Sequence, residues 1–179
     1  MKFHILCIFA LLPLQLMSAY EKAFPQTDVG KIEIKELPAA RLIAAHSDSN
    51  YFENNGKLFG ALFRYIQANE IAMTTPVKAE IDPGVMYFYI GSDHAETDLP
   101  DTDEVTVIEM PKQTVLSIGE RGSYNAKNFD QAKQKLLNYL EGQSEWVADG
   151  AAQAIYWNGP FTPWFLKRFE VQIPVKPVK

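Results

Sequence analysis

Two basic residues, Lys57 and Arg64, lie seven positions apart in a segment that also contains Phe59, Leu62 and Phe63. Seven residues make about two turns of an α-helix, so both cations are expected on the same side of a helix. Cations beside apolar side chains suit a ligand that buries a flat apolar body and carries carboxylates at its edge. These five residues are therefore predicted to form a binding surface. The alternative is an ordinary amphipathic helix with its cations in solvent.

Two histidines, His46 and His94, could ligate a metal, because neutral imidazole is a common ligand of iron. Ser47 and Asp48 follow His46, and Asp93 precedes His94, so each histidine is expected in a polar loop. A histidine in such a loop is more typical of a solvated side chain than of a ligand. The two are the candidates for a metal ligand, and the choice stays open.

A second chemistry would need a carboxylate with a shifted pKa in an aromatic pocket, as in a small-molecule hydrolase. The residue types are supplied by Glu109, Glu170, Tyr124, Tyr156 and Trp157. The simpler interpretation is that both glutamates are solvated and the aromatic residues belong to the core. The sequence contains no recognisable Ser-His-Asp arrangement, phosphate-binding glycine loop or His/Glu metal spacing. It therefore favours a binding protein over an enzyme.

The elements that would position these residues occur in the order strand, strand, helix, strand, strand. Short strands are predicted at 32–37 and 41–45, forming a hairpin around Pro38. Apolar residues at helical spacing predict a helix between 51 and 67. Two β-prone runs follow, at 71–81 and 85–90.

The same order recurs in the second half. Strands are predicted at 105–110 and 114–118, again as a hairpin, then a helix with Phe129, Leu136 and Leu140 on its apolar face, then strands near 152–157 and 169–173. A single constant offset along the chain aligns Glu36-Leu37-Pro38 with Glu109-Met110-Pro111, and it also aligns Tyr51 with Tyr124. The pattern predicts an internal duplication with copies at about 31–90 and 104–173.

Two such units must cover the apolar faces of their sheets against one another. We therefore predict an α+β fold, a closed or nearly closed antiparallel β-barrel built from two ββαββ repeats and flanked by two helices. A groove between a helix and the barrel is the default ligand site.

Three segments carry a resemblance to a known family. They are PAAR at 38–41, EIAMTTPV at 70–77 and WNGPFTPWFLKRFEV at 157–171. In content, order and spacing they resemble the SOUL family of haem-binding proteins over nearly all of the chain after its N-terminal segment. The resemblance implies a distorted antiparallel barrel with two helices and internal pseudo-symmetry, related to the gyrase-inhibitor-like fold, and haem or another tetrapyrrole as the ligand.

The resemblance also ranks the site residues. Arg64 precedes Tyr65 as a basic residue does in the family's helices, and it is the first choice for the haem propionates together with Lys57. Met73, in the MTTPV segment, and Lys167 and Arg168, in the C-terminal segment, complete the predicted site. Some members carry an iron-ligating His where this chain has Glu36, and many carry Asn at the position of Phe169.

The N-terminus has the pattern of a secretory signal peptide. Lys2 precedes an apolar stretch at 5–14, and the small residues Ser18 and Ala19 follow it. Cleavage after Ala19 would leave a single haem-binding domain at 20–179, periplasmic or secreted, whereas an uncleaved segment would anchor it to a membrane. Cleavage would also remove Cys7, the only cysteine, and change the net charge from −5 to −6. An acidic chain is a poor nucleic-acid binder, and no such partner is expected.

The predicted function is that of a haem or tetrapyrrole carrier or buffer. A small-molecule hydrolase or sensor of the gyrase-inhibitor-like type is the alternative. An interaction module that holds a partner peptide in its helix groove is the third possibility.

Overall fold

The predicted order of strands and helices recurs twice in the computed structural model. The structure describes residues 20–178, so the predicted signal peptide at 1–19 lies outside the described residues. Two short 3₁₀ turns are also present, at Ser92–His94 and Trp164–Leu166. In chain order the other elements are β1 (Glu21–Lys22), β2 (Ile32–Leu37), β3 (Ala40–His46), α1 (Tyr51–Ala68), β4 (Thr74–Thr75), β5 (Val77–Glu80), β6 (Val85–Tyr89), β7 (Thr106–Met110), β8 (Gln113–Arg121), α2 (Ala126–Glu141), β9 (Trp146–Ala148), β10 (Gln153–Tyr156) and β11 (Arg168–Pro177).

Both helices are capped by an asparagine that precedes the first turn. Asn50 Oδ1 accepts a hydrogen bond from Phe52 N at 3.0 Å, and Asn125 Oδ1 accepts one from Asn128 N at 2.9 Å. Such caps satisfy backbone donors that have no partner within the helix. The offset that aligns the start of β3 with the start of β8 does not align the two caps, because β8 is two residues longer than β3 while the connections to the helices are equally long. Tyr124 therefore precedes α2, although Tyr51 begins α1.

The two copies exchange their first strands, and this corrects the two predicted hairpins. The sheet order is β2-β8-β11-β10-β5-β6-β3-β7, so β2 pairs with β8 of the second copy and β7 pairs with β3 of the first. The equivalent strands of the two copies are β2 and β7, β3 and β8, β5 and β10, and β6 and β11. With these equivalences the order reads the same from either end, and its centre lies between β10 and β5. The exchange pairs the edges that β3 and β8 would otherwise expose, and it joins both copies into one continuous sheet.

The sheet curls into a half-barrel, with β2 and β7 at its two ends and β9 added beside β11. The α+β class, the distorted antiparallel barrel and the two flanking helices are thereby confirmed. Within residues 20–178, no helix has the length and hydropathy needed to cross a bilayer.

The two faces of the sheet have different cores. One face packs against both helices through residues such as Ile43, Phe88 and Val171, and we call it the helix face. The opposite face, which we call the far face, buries Leu42, Tyr87 and other alternate residues of the same strands. Period-two alternation places neighbouring side chains on opposite faces, so every central strand contributes to both cores.

The chain preceding β2 lies across the far face. Phe24 packs edge-to-face against Tyr89 and Trp157, with ring centroids 5.7 and 5.4 Å apart. Gly119 permits this close approach, because a Cβ there would lie 2.3 Å from Asp28 O. We call residues 23–29 the N-terminal strap.

The MTTPV segment holds the start of the strap. Pro76 divides the predicted strand at 71–81 into β4 and β5, and β4 pairs in parallel with β1. The Thr74 hydroxyl donates a hydrogen bond to Tyr89 O at 2.6 Å. This family segment therefore has a structural role in the described protein.

Candidate functional site

An open cleft of about 500 Å³ lies beside α1. Its volume falls within the range of roughly 300–1,000 Å³ that small-molecule sites occupy. It is bounded by the end of β3 and the loop after it, one flank of α1, and the chain that leads into β7. The lining residues are Ala45, His46, Ser47, Asp48, Ser49, Asn54, Lys57, Leu58, Ala61, Asp103, Glu104, Val105 and Thr106.

The helix separates the predicted basic residues from the predicted aromatic ones. At about 100° per residue, Lys57 and Arg64 lie within about 20° of each other, whereas Phe59 is about 200° from Lys57. Lys57 accordingly lines the cleft, whereas the lining includes none of Phe59, Leu62, Phe63 and Arg64. The expectation that all five residues share one surface is therefore wrong, because residues two or six apart lie on opposite flanks of a helix.

Arg64 forms an ion pair at the edge of the cleft. Its Nη2 donates to Glu104 Oε2 at 2.7 Å, and the two side chains are 65% and 64% exposed. An exposed pair of this kind contributes little to stability, so Arg64 can exchange Glu104 for an anionic ligand at small cost.

The aromatic flank of α1 is mostly part of the core. Phe59 stacks on Phe63 with ring centroids 5.7 Å apart, and it packs edge-to-face on Phe88 at 5.4 Å. Leu62 is fully buried in the helix-face core. Of the three predicted apolar contacts, only Phe63 is an exposed side chain.

The two histidines occupy different places. His46 lines the cleft, and its Nε2 lies 3.4 Å from Thr106 Oγ1. His94 ends the 3₁₀ turn outside the cleft, with Nδ1 3.5 Å from Thr97 Oγ1. Within residues 20–178, no group of three or more His, Cys, Asp or Glu side chains is arranged to hold a metal ion. Of the two candidates, only His46 is near Lys57.

The remaining predicted site residues lie away from the cleft. Met73 is half-buried and packs against the helix-face core. Lys167 and Arg168 belong to the second copy, where the Lys167 ammonium lies 4.9 Å from the centroid of the Tyr124 ring. None of the three is among the residues that line the cleft.

Glu170 is completely buried on the far face, and the interpretation of it as a solvated glutamate is wrong. Its carboxylate accepts five hydrogen bonds, each between 2.7 and 2.9 Å long. The donors are Thr27 N, Lys35 Nζ, Ser117 Oγ, Trp157 Nε1 and Gln172 Nε2. A carboxylate saturated in this way has no lone pair free to take a substrate proton, so Glu170 is a structural anion in this fold.

The other residues considered for hydrolysis do not converge on a reaction site. Glu109 is 76% exposed and forms an ion pair with Arg41. Burial raises the pKa of Tyr124 to about 12, and its hydroxyl donates to Arg168 O at 2.7 Å. Tyr156 and Trp157 are core residues, as expected. A tyrosine that stays protonated and is already hydrogen-bonded is poorly suited to act as a base.

Sequence reasoning missed the Lys35–Glu170 ion pair, whose Nζ and Oε2 atoms are 2.8 Å apart. A signal was present, because Glu170 and Gln172 alternate with Phe169, Val171 and Ile173 in a strand that reads as buried. A charged residue at a buried strand position requires a partner of opposite charge. The partner itself could not be read from the sequence, since Lys35 lies 135 residues away.

A protein-family model described as SOUL heme-binding protein matches residues 19–174. The chain belongs to the SOUL haem-binding family. The family is described by its ligand, haem, and not by a reaction. Membership confirms the resemblance carried by the PAAR, EIAMTTPV and C-terminal segments, and it supports haem binding in general.

Solved structures similar to this SOUL protein confirm the gyrase-inhibitor-like fold. The EcmrR C-terminal domain has a TM-score of 0.65 at 15% identity, over 83% of this chain and 98% of that chain. A hydrolase from Listeria innocua has a TM-score of 0.52 at 12% identity, over 84% and 94% of the two chains.

The EcmrR chain of the EcmrR–DNA complex in EcmrR-RPo has a TM-score of 0.66 at 15% identity, over 83% of this chain. This chain spans 58% of that longer EcmrR chain. No curated protein matches the sequence. At these identities the likenesses establish the fold alone.

Proposed function

We propose that this SOUL protein binds haem or a related tetrapyrrole in the cleft beside α1, and that after export it serves as a carrier or buffer. The observation that carries the proposal is the pairing of family membership with an open cleft that has Lys57 and Arg64 on the same flank of its helix. The apolar ring would enter between α1 and the end of β3, where Leu58, Ala61 and Val105 supply apolar contacts.

The charges of the cleft set the orientation of the ligand. Asp48, Asp103 and Glu104 repel propionates, whereas Lys57 and Arg64 attract them. Lys57 and Arg64 would therefore hold the propionates, with Arg64 exchanging Glu104 for them. His46 would be the candidate to approach the iron, and Lys57 and Arg64 would hold the propionates without axial ligation.

The test is titration of the protein with haemin, followed by absorbance in the Soret region. A saturable change at micromolar protein is expected, and its absence would remove the tetrapyrrole proposal. Arg64→Ala should weaken binding about tenfold, which corresponds to the loss of one charge-assisted hydrogen bond. Glu104→Gln should strengthen it a few-fold, because it frees Arg64 and removes one repelling carboxylate.

The matched control is Lys133→Ala, which removes an exposed cation from α2 and should leave affinity unchanged. Saturable binding that is indifferent to both Arg64→Ala and Glu104→Gln would place the haem elsewhere. His46→Ala should cost less affinity than Arg64→Ala. The opposite order, together with a change in the shape of the Soret band, would show that His46 ligates the iron.

Export is tested by expressing the full chain and sequencing the N-terminus of the purified product. A mature protein that begins at Tyr20 and is recovered from the periplasm or the medium is expected. Recovery in the membrane fraction with Met1 retained would support the anchored alternative.

Within the described residues no contact favours the hydrolase alternative, because Glu170 is saturated and Glu109 is exposed. A screen of small reactive esters with Glu109→Gln and Glu170→Gln as controls would expose a wrong assignment. Turnover that Glu109→Gln keeps and that Glu170→Gln lacks while its circular dichroism remains native would reverse this conclusion. Within residues 20–178, no contact favours the peptide-groove alternative either.

A further inference from the structure

The connection between β10 and β11 holds a concentration of exposed apolar side chains. Phe161 is 99% exposed, Trp164 66%, Phe165 53% and Leu166 50%. Large apolar side chains that are exposed singly are ordinary, but four so close together in the chain form a contiguous feature. We call residues 157–167 the aromatic loop.

The fold does not need this loop to join its strands. In the first copy the equivalent hairpin joins β5 to β6 through the short segment 81–84, whereas the aromatic loop occupies all of 157–167. The two hairpins occupy mirrored positions in the palindromic sheet. The extra length and its apolar side chains therefore serve something other than the connection.

Backbone hydrogen bonds hold the aromatic loop in shape while leaving its side chains in solvent. Leu166 N donates to Pro163 O at 2.9 Å, and Gly122 N donates to Lys167 O at 3.0 Å. Asn158 closes the base of the loop, since its Oδ1 accepts from Arg168 N at 2.6 Å. The apolar tip is thus preorganised, which lowers the entropic cost of binding through it.

The base of the loop is basic in an otherwise acidic protein. Lys167 ends the loop, Arg168 follows it, and Arg121 lies opposite Arg168 in the β8–β11 register. The segments 157–168 and 121–129 contain no Asp or Glu, although the chain as a whole has a net charge of −5. A protruding apolar tip with cations behind it complements an anionic surface that has an apolar interior.

We propose that the aromatic loop docks this protein onto anionic phospholipid bilayers. The four apolar side chains enter the boundary between headgroups and acyl chains, and Arg121, Lys167 and Arg168 contact lipid phosphates. Trp and Phe are side chains typical of that boundary. A bilayer fits better than a protein partner, because a fluid surface accepts a protruding tip without a complementary pocket. The proposal is independent of haem binding and uses none of the cleft residues.

The experiment is co-sedimentation with vesicles, using protein purified from cells that express the full chain. Binding to vesicles of phosphatidylglycerol and phosphatidylcholine is expected, with much weaker binding to phosphatidylcholine alone. The double variant Phe161→Ser, Trp164→Ser should lower the partition coefficient by at least about tenfold. The double variant Arg121→Gln, Arg168→Gln should lower it on anionic vesicles by about fivefold per cation.

The matched control is Tyr139→Ser, Val147→Ser, which removes two exposed apolar side chains from α2 and β9 and should leave partition unchanged. All variants are compared in the same background, so any contribution of residues 1–19 cancels. Trp164 is the most exposed tryptophan, and its fluorescence should shift to shorter wavelength on vesicle binding. Trp164→Phe should abolish that shift while sedimentation persists.

Three outcomes would overturn the proposal. The loop variants could partition like the parent protein, which would remove the loop from any membrane contact. Partition could be equal on neutral and anionic vesicles, which would exclude the role of the cations. The parent protein could ignore vesicles and instead show a loop-dependent increase in mass by sedimentation velocity, which would make the loop a self-association surface.

Discussion

Two ion pairs on opposite sides of the sheet illustrate two uses of charge in one small domain. On the far face, Glu170 is 0% exposed and its partner Lys35 is 14% exposed. Beside the cleft, Arg64 and Glu104 are each about two-thirds exposed and share a single contact. The oxygen–nitrogen distances are similar, at 2.8 and 2.7 Å. The surroundings and not the contact length therefore separate the two pairs.

The two ion pairs differ in the free energy that is lost when their side chains separate. Removing one partner of a buried pair leaves a charge in a low-dielectric environment, whereas water replaces either partner of an exposed pair. The Glu170 cluster consequently fixes the strap, β2, β8 and β11 to one another. The Arg64–Glu104 pair can instead dissociate when a ligand arrives, which is what the proposed cleft requires.

The sharpest test of this comparison is Glu170→Gln. We expect the free energy of unfolding to fall by about 3–5 kcal/mol, because Lys35 loses its buried counter-ion and several donors face a neutral amide. Chemical denaturation followed by circular dichroism measures the loss. Glu109→Gln is the control, and it should stay within about 0.5 kcal/mol of the parent protein. A loss below about 1 kcal/mol at Glu170, the range of exposed pairs, would mean that the buried cluster does not stabilise the fold.

Phe24→Ala tests the strap that covers this cluster. The ring packs against Tyr89 and Trp157, and Lys35 Nζ lies 5.1 Å from its centroid. Its removal should cost about 3 kcal/mol and speed amide hydrogen exchange in residues 23–29. Phe63→Ala, at an exposed position, should cost less than about 1 kcal/mol. Unchanged exchange in the strap would show that it is held without Phe24.

Lys78→Met contrasts a poorly satisfied buried charge with the saturated Glu170. Lys78 is buried on the far face, with Glu80 Oε1 3.8 Å away, and desolvation lowers its pKa below the usual 10.5. The variant should gain about 1 kcal/mol at neutral pH, because a thioether needs no hydration.

The gain from Lys78→Met should depend on pH in a defined direction. The pKa of Lys78 is lower in the folded protein than in the unfolded chain. As the pH rises toward 10.5, Lys78 therefore loses its proton first in the folded protein, while the unfolded chain still carries it. The parent protein is therefore stabilised by Lys78 deprotonation in that window, and the advantage of the variant should shrink. Thermal melts of both proteins between neutral and alkaline pH measure the difference. An advantage that grows with pH would contradict the assignment.

The smallest effect is expected for Arg64→Ala and Glu104→Gln. Each should change the free energy of unfolding by less than about 0.5 kcal/mol, since the pair is exposed and screened by solvent. Denaturation without ligand measures this, beside the haemin titration of the same variants. A loss for either variant that exceeds about 1 kcal/mol, the upper end for exposed pairs, would mean that the pair is structural. The contrast with Glu170 would then fail.

Local patterns in the sequence anticipated much of this protein. The spacing of Leu58 and Leu62 located α1, and period-two runs located most strands, because these signals depend on neighbours along the chain. The same helical period separates Lys57 from Phe59, so the split of the predicted site follows from the sequence once the angle is considered. Family segments indicated the family and its fold.

Strand pairing and burial of charge were not available in this way. Pro38 and Pro111 mark turns that look like hairpin turns, yet each turn leads to a strand paired in the other copy. The pairing depends on which edges remain unpaired after both copies have formed, and no local pattern records that. The far-face role of the strap depends equally on Gly119, whose missing side chain makes room for Asp28.

The sequence by itself determined the element types, their repeated order, the basic flank of α1 and the apolar composition of the aromatic loop. All of these follow from spacing or composition within short segments. The tertiary structure decided the exchange of β2 and β7, the opening of the cleft and the burial of Glu170. The hydrogen bond from Thr27 N to Glu170 spans 143 residues of chain. Contacts at that separation form only when folding brings distant segments together, so they depend on the whole arrangement rather than on any one segment.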